Sequence, residues 1–358
     1  MTQLDQAVAI RKGQQIDEQT LDLFLKKNLK LPDHKIKVLQ FPSGYSNLTY
    51  LLQFGSEEMV LRRPPQGANI KSGHDMGREY KILDALSRVY GKVPKPYLYS
   101  EDVSVIGAPF YVMERKKGII LRGTDLQKNL PSAKIMKFLS GEFITTLAEI
   151  HSLDFKEAGL EGLGHPQGYV KRQVEGWTRR YQNAQTQQVQ SIEKMYLWLN
   201  EQIPLESRTT LIHNDFKYDN MILKEDGSYQ VDAVLDWEMA TIGDPLMDLG
   251  TTLAYWMHES DPDFITENQM NISTASGNFS RSELVEFYTK KTQFDIDNIL
   301  FYYVFGLFKI AVIIQQIFHR YKQGFSTDER FKTLDKLVEM YGVMGLQALK
   351  KKRIDYLF

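Results

Sequence analysis

Three side chains in this 358-residue chain are of the types that move a phosphoryl group onto a hydroxyl. Asp215 and Asn220 lie in the run His213-Asn214-Asp215-Phe216-Lys217-Tyr218-Asp219-Asn220, and Asp236 follows in Leu235-Asp236-Trp237-Glu238. Such a transfer asks little covalent work of a protein. It needs an aligned hydroxyl, shielded phosphates and metal ions bridging phosphate oxygens. Asp215 suits the hydroxyl. An aspartate of ordinary strength is too weak to strip an alcohol beforehand. It would orient the alcohol and accept the proton late, as the bond to phosphorus forms. Asn220 and Asp236 offer the oxygen ligands that Mg²⁺ prefers. A lone aspartate would read as the cap of a turn; the three together read as the core of a small-molecule kinase. His213 is assigned to holding the loop through a backbone hydrogen bond, because Asp215 fills the base role. Lys217 is placed to meet the transferring phosphate as a cation. Asp219 is expected to face solvent or cap the following strand.

The elements that must position these groups change character along the chain. Asp17 can cap a helix carrying Leu21, Phe24 and Leu25. Residues 35–41 alternate at period two, 48–54 make a second strand, and 59–63 a third that Pro64-Pro65 stops. This reads as an antiparallel meander. A helix from about Asp75 to Val89 follows, then strands at Tyr97-Leu98-Tyr99 and Phe110-Tyr111-Val112-Met113. From about Ser132 the pattern is mainly helical, interrupted by the phosphoryl-transfer motif and the two short strands beside it. A five-stranded region of about 115 residues joined to a helical region is the architecture this implies, with a boundary at 115/116 and the second domain running over 116–358.

Composition narrows the class. Hydrophobic residues are 42% and charged residues 25%, ordinary for a folded soluble protein. The net charge of −1 argues against a nucleic acid or an anionic membrane as the main partner. There is no cysteine, hence no disulfide, thiolate nucleophile or cysteine-based zinc site. That fits a reducing compartment, and the N-terminus lacks the pattern of a signal peptide, so a cytoplasmic setting is expected. The apolar run Phe301–Phe318 is expected to be a buried helix rather than a membrane span. His258, Glu259, Asp261 and Asp263 are expected on a solvated acidic loop, since they lack zinc spacing.

His-x-Asp-x-x-x-x-Asn followed by Leu-Asp-Trp-Glu resembles the aminoglycoside phosphotransferase and choline kinase family, relatives of the protein kinases. The resemblance implies an α+β, bilobal protein-kinase-like fold, with an N-terminal five-stranded antiparallel sheet and helix and a mainly helical C-terminal lobe. In it Asp215 corresponds to the base, and Asn220 and Asp236 to the Mg²⁺ ligands. Gly243-Asp244-Pro245-Leu246-Met247-Asp248-Leu249 is similar to the family's next segment, where Asp248 opens a helix and braces the catalytic loop; a helix N-terminus suits that charge. The phosphate loop would be Ser43-Gly44-Tyr45-Ser46-Asn47, with Gly44, Ser46 and Asn47 giving groups to the phosphates. Arg62 stands where kinases carry a lysine, with Glu79 as its partner; Arg keeps the charge and adds a fork suited to phosphate. Arg63 takes that role if the strand register differs by one. Met113, Glu114 and Lys116 would form the hinge that holds adenine. The implied cofactors are ATP, or GTP, and Mg²⁺. The implied partners are a nucleotide and a small hydroxylated substrate.

Leu61-Arg62-Arg63-Pro64-Pro65, Gly77-Arg78-Glu79-Tyr80, Gly107–Glu114, Leu147–His151 and Arg172–Thr178 are similar to the kinase domain fused to certain acyl-CoA dehydrogenases, a subgroup linked to phosphorylation of 4-hydroxyacyl-CoA. With Phe358 as the last residue, an attached dehydrogenase domain is not expected. The subgroup usually has Gly in place of Asn214 and commonly Arg in place of Lys217. A CoA thioester wants cations near its phosphates, and Arg172, Arg179, Arg180 and Lys309 are candidates. An aminoglycoside would want an acidic surrounding. A hydroxylated metabolite is therefore preferred over an antibiotic. A non-catalytic nucleotide-binding scaffold is the competing class, opposed by the intact Asp215, Asn220 and Asp236. A protein kinase is opposed by the absence of an Ala-Pro-Glu-like segment after Asp236.

Overall fold

The computed structural model describes residues 6–42, 47–65, 75–122, 130–206, 208–269, 271–326 and 328–358. The chain divides into two compact units. The first takes Met1–Ile120, Ala158–Leu160 and Asn220–Ala240; the second takes Leu121–Glu157, Glu161–Asp219 and Thr241–Phe358. The division after Ile120 lies close to the boundary expected at 115/116. The hairpin leading to Asp236, expected among the helices, groups with the N-terminal sheet instead.

In the first unit β1 (Lys37–Gln40), β2 (Leu48–Phe54), β3 (Glu57–Arg63), β4 (Pro96–Ser100) and β5 (Phe110–Glu114) form one sheet in the order β1-β2-β3-β5-β4. Every neighbouring pair is antiparallel. The meander holds through β3. The helix Met76–Leu86 then carries the chain past the centre, so β4 lands on the edge and β5 returns between it and β3. Period-two alternation puts Tyr50, Leu52 and Phe54 of β2 in one core with Val38, Leu61, Phe110 and Val112. The helix starts where the Asp75 carboxylate accepts the Arg78 amide at 2.9 Å, and it packs on β4, β5 and the turn Trp237–Met239. A hairpin of Met221–Leu223 with Val231–Val234 leads directly to Asp236.

The second unit contains the long helices Ala133–Ser152, Tyr169–Ala184, Gln190–Glu201, Pro245–Tyr255, Arg281–Thr292, Ile299–Lys322 and Leu334–Lys351. A short ribbon, Thr210–Ile212 against Thr241–Gly243, delivers the chain to His213. Ile299–Lys322 packs against Pro245–Tyr255, Leu334–Lys351, Tyr169–Ala184 and Gln190–Glu201. It is long and apolar enough to cross a membrane, yet 78% of its most apolar 18-residue window is buried inside the protein. That is the pattern of the buried helix expected for this run. Asp261 departs from the solvated loop expected for it. It is buried against Arg281, with Oδ2 2.5 Å from Nη2, because a buried guanidinium needs a charged partner.

The helices Pro245–Tyr255 and Ile299–Lys322 meet backbone to backbone. A Cβ on Gly306 would lie 2.2 Å from the Gly250 carbonyl oxygen, and one on Gly250 would lie 2.1 Å from that of Tyr302. No side chain is present there to yield. Gly306→Val is therefore expected to lower stability by about 1–3 kcal/mol or more. Urea unfolding would show it as a lower midpoint at unchanged slope. An unmoved midpoint would mean that the two helices tolerate separation.

Candidate active site

The base loop belongs to the second unit up to Asp219, and its hold is mostly through the backbone. Asp248, in the first turn of Pro245–Tyr255, is fully buried. Its Oδ2 accepts the His213 amide at 2.7 Å and its Oδ1 the Asn214 amide at 2.9 Å. His151 Nε2 lies 3.1 Å from the same Oδ2, and its Nδ1 is 2.7 Å from the Tyr288 hydroxyl. Burial pushes the Asp248 carboxyl up, but the His151 hydrogen bond and charge, with His213 behind them, outweigh it and hold the group below the ordinary carboxylate range. The expected brace by Asp248 is thus present as geometry. His213 takes the place expected of it: its ring Nδ1 accepts the Asp215 amide at 3.3 Å.

Asn214 turns the loop. Its φ of +67° lies in the left-handed region, which asparagine and glycine enter at low cost. The exchange of Gly for Asn noted in the sequence is therefore conformationally conservative. Beneath the loop, Phe143, Phe216, Tyr218 and Trp256 form an aromatic seat with ring centroids 4.8–5.1 Å apart. Composition shows such aromatics, but only the fold brings them together.

Lys217 bonds both oxygens of Asp215, at 2.8 and 3.1 Å, and its ammonium lies 5.3 Å from the Tyr255 ring centroid. Burial, and then the charge and hydrogen bond of Asp215, hold the Tyr255 hydroxyl well above its usual range, so it stays protonated. Asp219 departs from expectation. It is half-buried, and burial raises its carboxyl to about 6, against the pull of Lys217 and Arg122 and with the push of Asp215. Aromatic packing of its neighbour Tyr218 draws the strand start inward, so a solvated Asp219 is not available.

In the first unit Asp236 has φ +67° and starts the turn Trp237–Met239, and the Asn220 carbonyl accepts the Leu235 amide at 2.8 Å. Arg62 faces this turn. Its Nη1 is 2.6 Å from Glu79 Oε1, its Nη2 is 2.9 Å from Asp236 Oδ1, and Glu238 Oε2 lies at 3.6 Å. Burial disfavours the charged guanidinium, but Glu79, Tyr111, Asp236 and Glu238 more than offset it and hold Arg62 well above its ordinary range, so it stays cationic. Arg63 points elsewhere, to the Ile106 carbonyl at 3.0 Å and the Tyr50 ring. Of the two arginines, only Arg62 therefore meets Glu79 and Asp236. Burial pushes the Glu79 carboxyl up, opposed by Arg62.

Two residues that sequence reasoning missed lock the same turn. Glu238 accepts the Asn47 side-chain amide at 2.5 Å. Arg78 donates to the backbone carbonyls of Glu238, at 2.8 Å, and Ala240. Arg78 stood in a quoted motif, and its place one residue before Glu79 was the available signal. Gly44 and Ser46 lie outside the described residues. At the expected hinge Met113 pairs with Val60 in the sheet, and the Glu114 amide donates to the Lys95 carbonyl at 2.8 Å. The Glu114 carboxylate holds the Lys95 amide and Lys116 Nζ, at 3.1 and 3.2 Å. The Glu114 amide is thus taken by the Lys95 carbonyl, just before β4.

The residues of the first unit fit Mg²⁺. One guanidinium facing three carboxylates leaves an excess of negative charge beside Asp236. The side-chain donors of Asp236 and Asn220 are the hard oxygens that Mg²⁺ takes through few protein ligands.

Two substitutions test these assignments. Asn214→Gly should leave stability nearly unchanged, whereas Asn214→Val should cost about 1–2 kcal/mol from its left-handed backbone; equal melting of the two would refute a conformational role. Arg62→Met should cost about 3–5 kcal/mol, because Glu79 stays buried without its cation. Chemical denaturation checks this, and a loss below about 1 kcal/mol, as for a surface pair, would show that Glu79 simply binds a proton.

Known proteins agree with this geometry. The profile of the Phosphotransferase enzyme family (APH) matches residues 37–270. Acyl-CoA dehydrogenase family member 11 of Homo sapiens is 34% identical over 343 residues, covering 94% of this chain and 43% of that protein. The chain thus spans less than half the length of this curated relative. A solved Ralstonia eutropha JMP134 protein, provisionally assigned as an aminoglycoside phosphotransferase, is 29% identical with a TM-score of 0.80, covering 94% of this chain and 99% of that one. Choline kinase from Cryptosporidium parvum Iowa II shares the fold at 13% identity and a TM-score of 0.61, with 96% and 100% covered. With a five-stranded antiparallel sheet and a mainly helical second unit, the chain belongs to the Phosphotransferase enzyme family and has a protein-kinase-like fold.

Proposed function

We propose that this chain transfers the terminal phosphoryl group of a nucleoside triphosphate to the hydroxyl of a small metabolite, with a hydroxyacyl-CoA as the preferred acceptor class. The observation that carries the reading is the hold on Asp215. Its peptide leaves a loop whose amides are clamped by Asp248, and its own amide is held by His213. A base fixed in this way pre-orients an alcohol and removes the entropy cost of finding the attack geometry.

In the mechanism Asp215 accepts a hydrogen bond from the acceptor hydroxyl. As the oxygen bonds to phosphorus, the proton passes to the Asp215 carboxylate. Lys217, which holds both oxygens of Asp215, exchanges one of those bonds for the incoming hydroxyl or phosphate. Arg62 stands ready for phosphate oxygens, kept cationic by Glu79. Asn220 and Asp236 would hold Mg²⁺, which when bound neutralises charge on the transferring phosphates.

The acceptor class rests on two supports. The curated relative carries an acyl-CoA dehydrogenase name, although only part of its length is matched. The charged groups bearing on Lys309, which reaches the base loop, include the cations Lys217 and Arg180. A polycationic antibiotic would be repelled by cations around the base, and an anionic thioester would not. Arg172, a candidate for CoA phosphates, is occupied by the backbone carbonyls of His165 and Gln167.

A transfer screen over 4-hydroxyacyl-CoAs, aminoglycosides, choline and sugars, each with MgATP and MgGTP, tests acceptor and nucleotide together. Asp215→Asn should lower turnover by about 10²–10⁴-fold with nucleotide affinity kept. Unchanged turnover would remove Asp215 from the base role. Nucleotide binding without transfer to any acceptor would favour a scaffold.

A further inference from the structure

Lys309 sits in an apolar stretch of Ile299–Lys322, between Phe308 and Ile310, and only 4% of it is exposed. A buried ammonium is costly unless it is paired. No carboxylate lies within ion-pair distance of it among the described residues. It donates to the Asn214 carbonyl at 3.0 Å, and its Nζ lies 5.9 Å from the Trp177 ring centroid. The carbonyl it holds belongs to the peptide that joins Asn214 to Asp215. The amide of that same peptide is held by His213 Nδ1. Asp248 clamps the two preceding amides. Lys309 therefore holds this peptide from outside the loop, and from a different helix than Asp248.

We propose that Lys309 is a positioning residue for phosphoryl transfer: by gripping the Asn214 carbonyl it fixes the plane of the peptide that carries Asp215. The proposal rests on the kinase reading for its effect on rate, but the geometric claim stands without it. A peptide anchored at both its carbonyl and its amide cannot rotate about its Cα–Cα axis. With the carbonyl released, the peptide loses its 3.0 Å bond and keeps the longer 3.3 Å bond to His213. The Asp215 carboxylate would then swing away from the attack line.

The grip is sensitive to pH. Burial pulls the Lys309 ammonium down to about 8, against the carboxylates of Asp248 and Asp215 and with the push of Lys217 and Arg180. These come from the helix Pro245–Tyr255, the base loop and the helix Tyr169–Ala184. The charged donor is present below that value and lost as pH rises through it. A neutral amine remains a weaker donor to the carbonyl.

The test uses the whole chain with Lys309→Met and Lys309→Gln. Methionine is of similar length and carries no charge into this buried position, so it should fold; glutamine keeps a donor that does not titrate. Turnover is read as phosphate release from MgATP or MgGTP, with water or a screened alcohol as acceptor, and affinity as MgADP binding. The expectation is a drop of about tenfold or more for Lys309→Met, in line with slight misplacement of a reacting group, while MgADP affinity stays as in wild type. Wild type should lose rate as pH rises through about 8; Lys309→Met should lack that descending limb, and Lys309→Gln should lack it while keeping more of the rate. Amide hydrogen exchange over residues 213–216 gives a readout that needs no turnover: it should quicken in Lys309→Met at unchanged melting temperature. A wild type with no turnover overturns the kinase reading and leaves the exchange result to decide this one. Wild-type turnover, pH profile and exchange in Lys309→Met would overturn the positioning role.

Discussion

Asp248 gives both carboxylate oxygens to the backbone of the base loop, and it does so from a position with no solvent. A buried carboxylate is tolerable only when donors surround it. Here the donors are the two loop amides and His151, itself oriented by Tyr288. The consequence runs both ways. The loop amides, which would otherwise be orphaned at a tight left-handed turn, are satisfied. The carboxylate is kept ionised where burial would protonate it. Because Asp248 lies in the first turn of a long buried helix, the position of Asp215 is tied to that helix rather than to the loop's own stiffness.

The first unit solves a parallel problem with one cation. Arg62 reaches Glu79 with one terminal nitrogen and Asp236 with the other. The planar fork makes both bonds from a single rigid group, and the ammonium of a lysine would offer a point charge instead. That accounts for arginine where kinases carry lysine: the guanidinium registers the sheet strand β3, the helix Met76–Leu86 and the Asp236 turn against one another. Arg78 and the Asn47–Glu238 bond lock the same turn from its backbone and its far side chain. Within this unit, the residue that would face phosphate and the residue that would hold metal are thus parts of one ion network.

What was legible in the sequence follows the range of the forces involved. Alternation in residues 48–54 and capping at Asp75 are local, and the strand and the helix start lie where they were read. The Asp215, Asn220 and Asp236 spacing is local too, and the hold of His213 on the Asp215 amide followed from it. The exchange of β4 and β5 was not legible, because strand order depends on where a helix sets the chain down. Asp261 was read as solvated and Asp219 as solvated or a strand cap, since polar neighbours in sequence say nothing of a buried Arg281 twenty residues on, or of the aromatic seat that carries Tyr218. Lys309 was read as one of four candidate cations for the phosphates of a CoA thioester. An isolated lysine in an apolar helical run has a second meaning, a buried donor with a fixed task, and only the contact with Asn214 separates the two.

These features divide the labour within the second unit. The base loop is held at backbone groups, the amides of His213, Asn214 and Asp215 and the carbonyl of Asn214, while Lys217 bonds the Asp215 carboxylate itself. Backbone holds do not depend on which side chains surround the carboxylate. The neighbours of Lys309, by contrast, include side chains of Tyr169–Ala184: Trp177 under its ammonium and Arg180 over the same ring. Substituting that helix face alters charge and shape near the base without disturbing the clamp. A fold built in this way can keep one transfer reaction while exchanging acceptors, which is why the motif that reveals the chemistry is silent about the substrate.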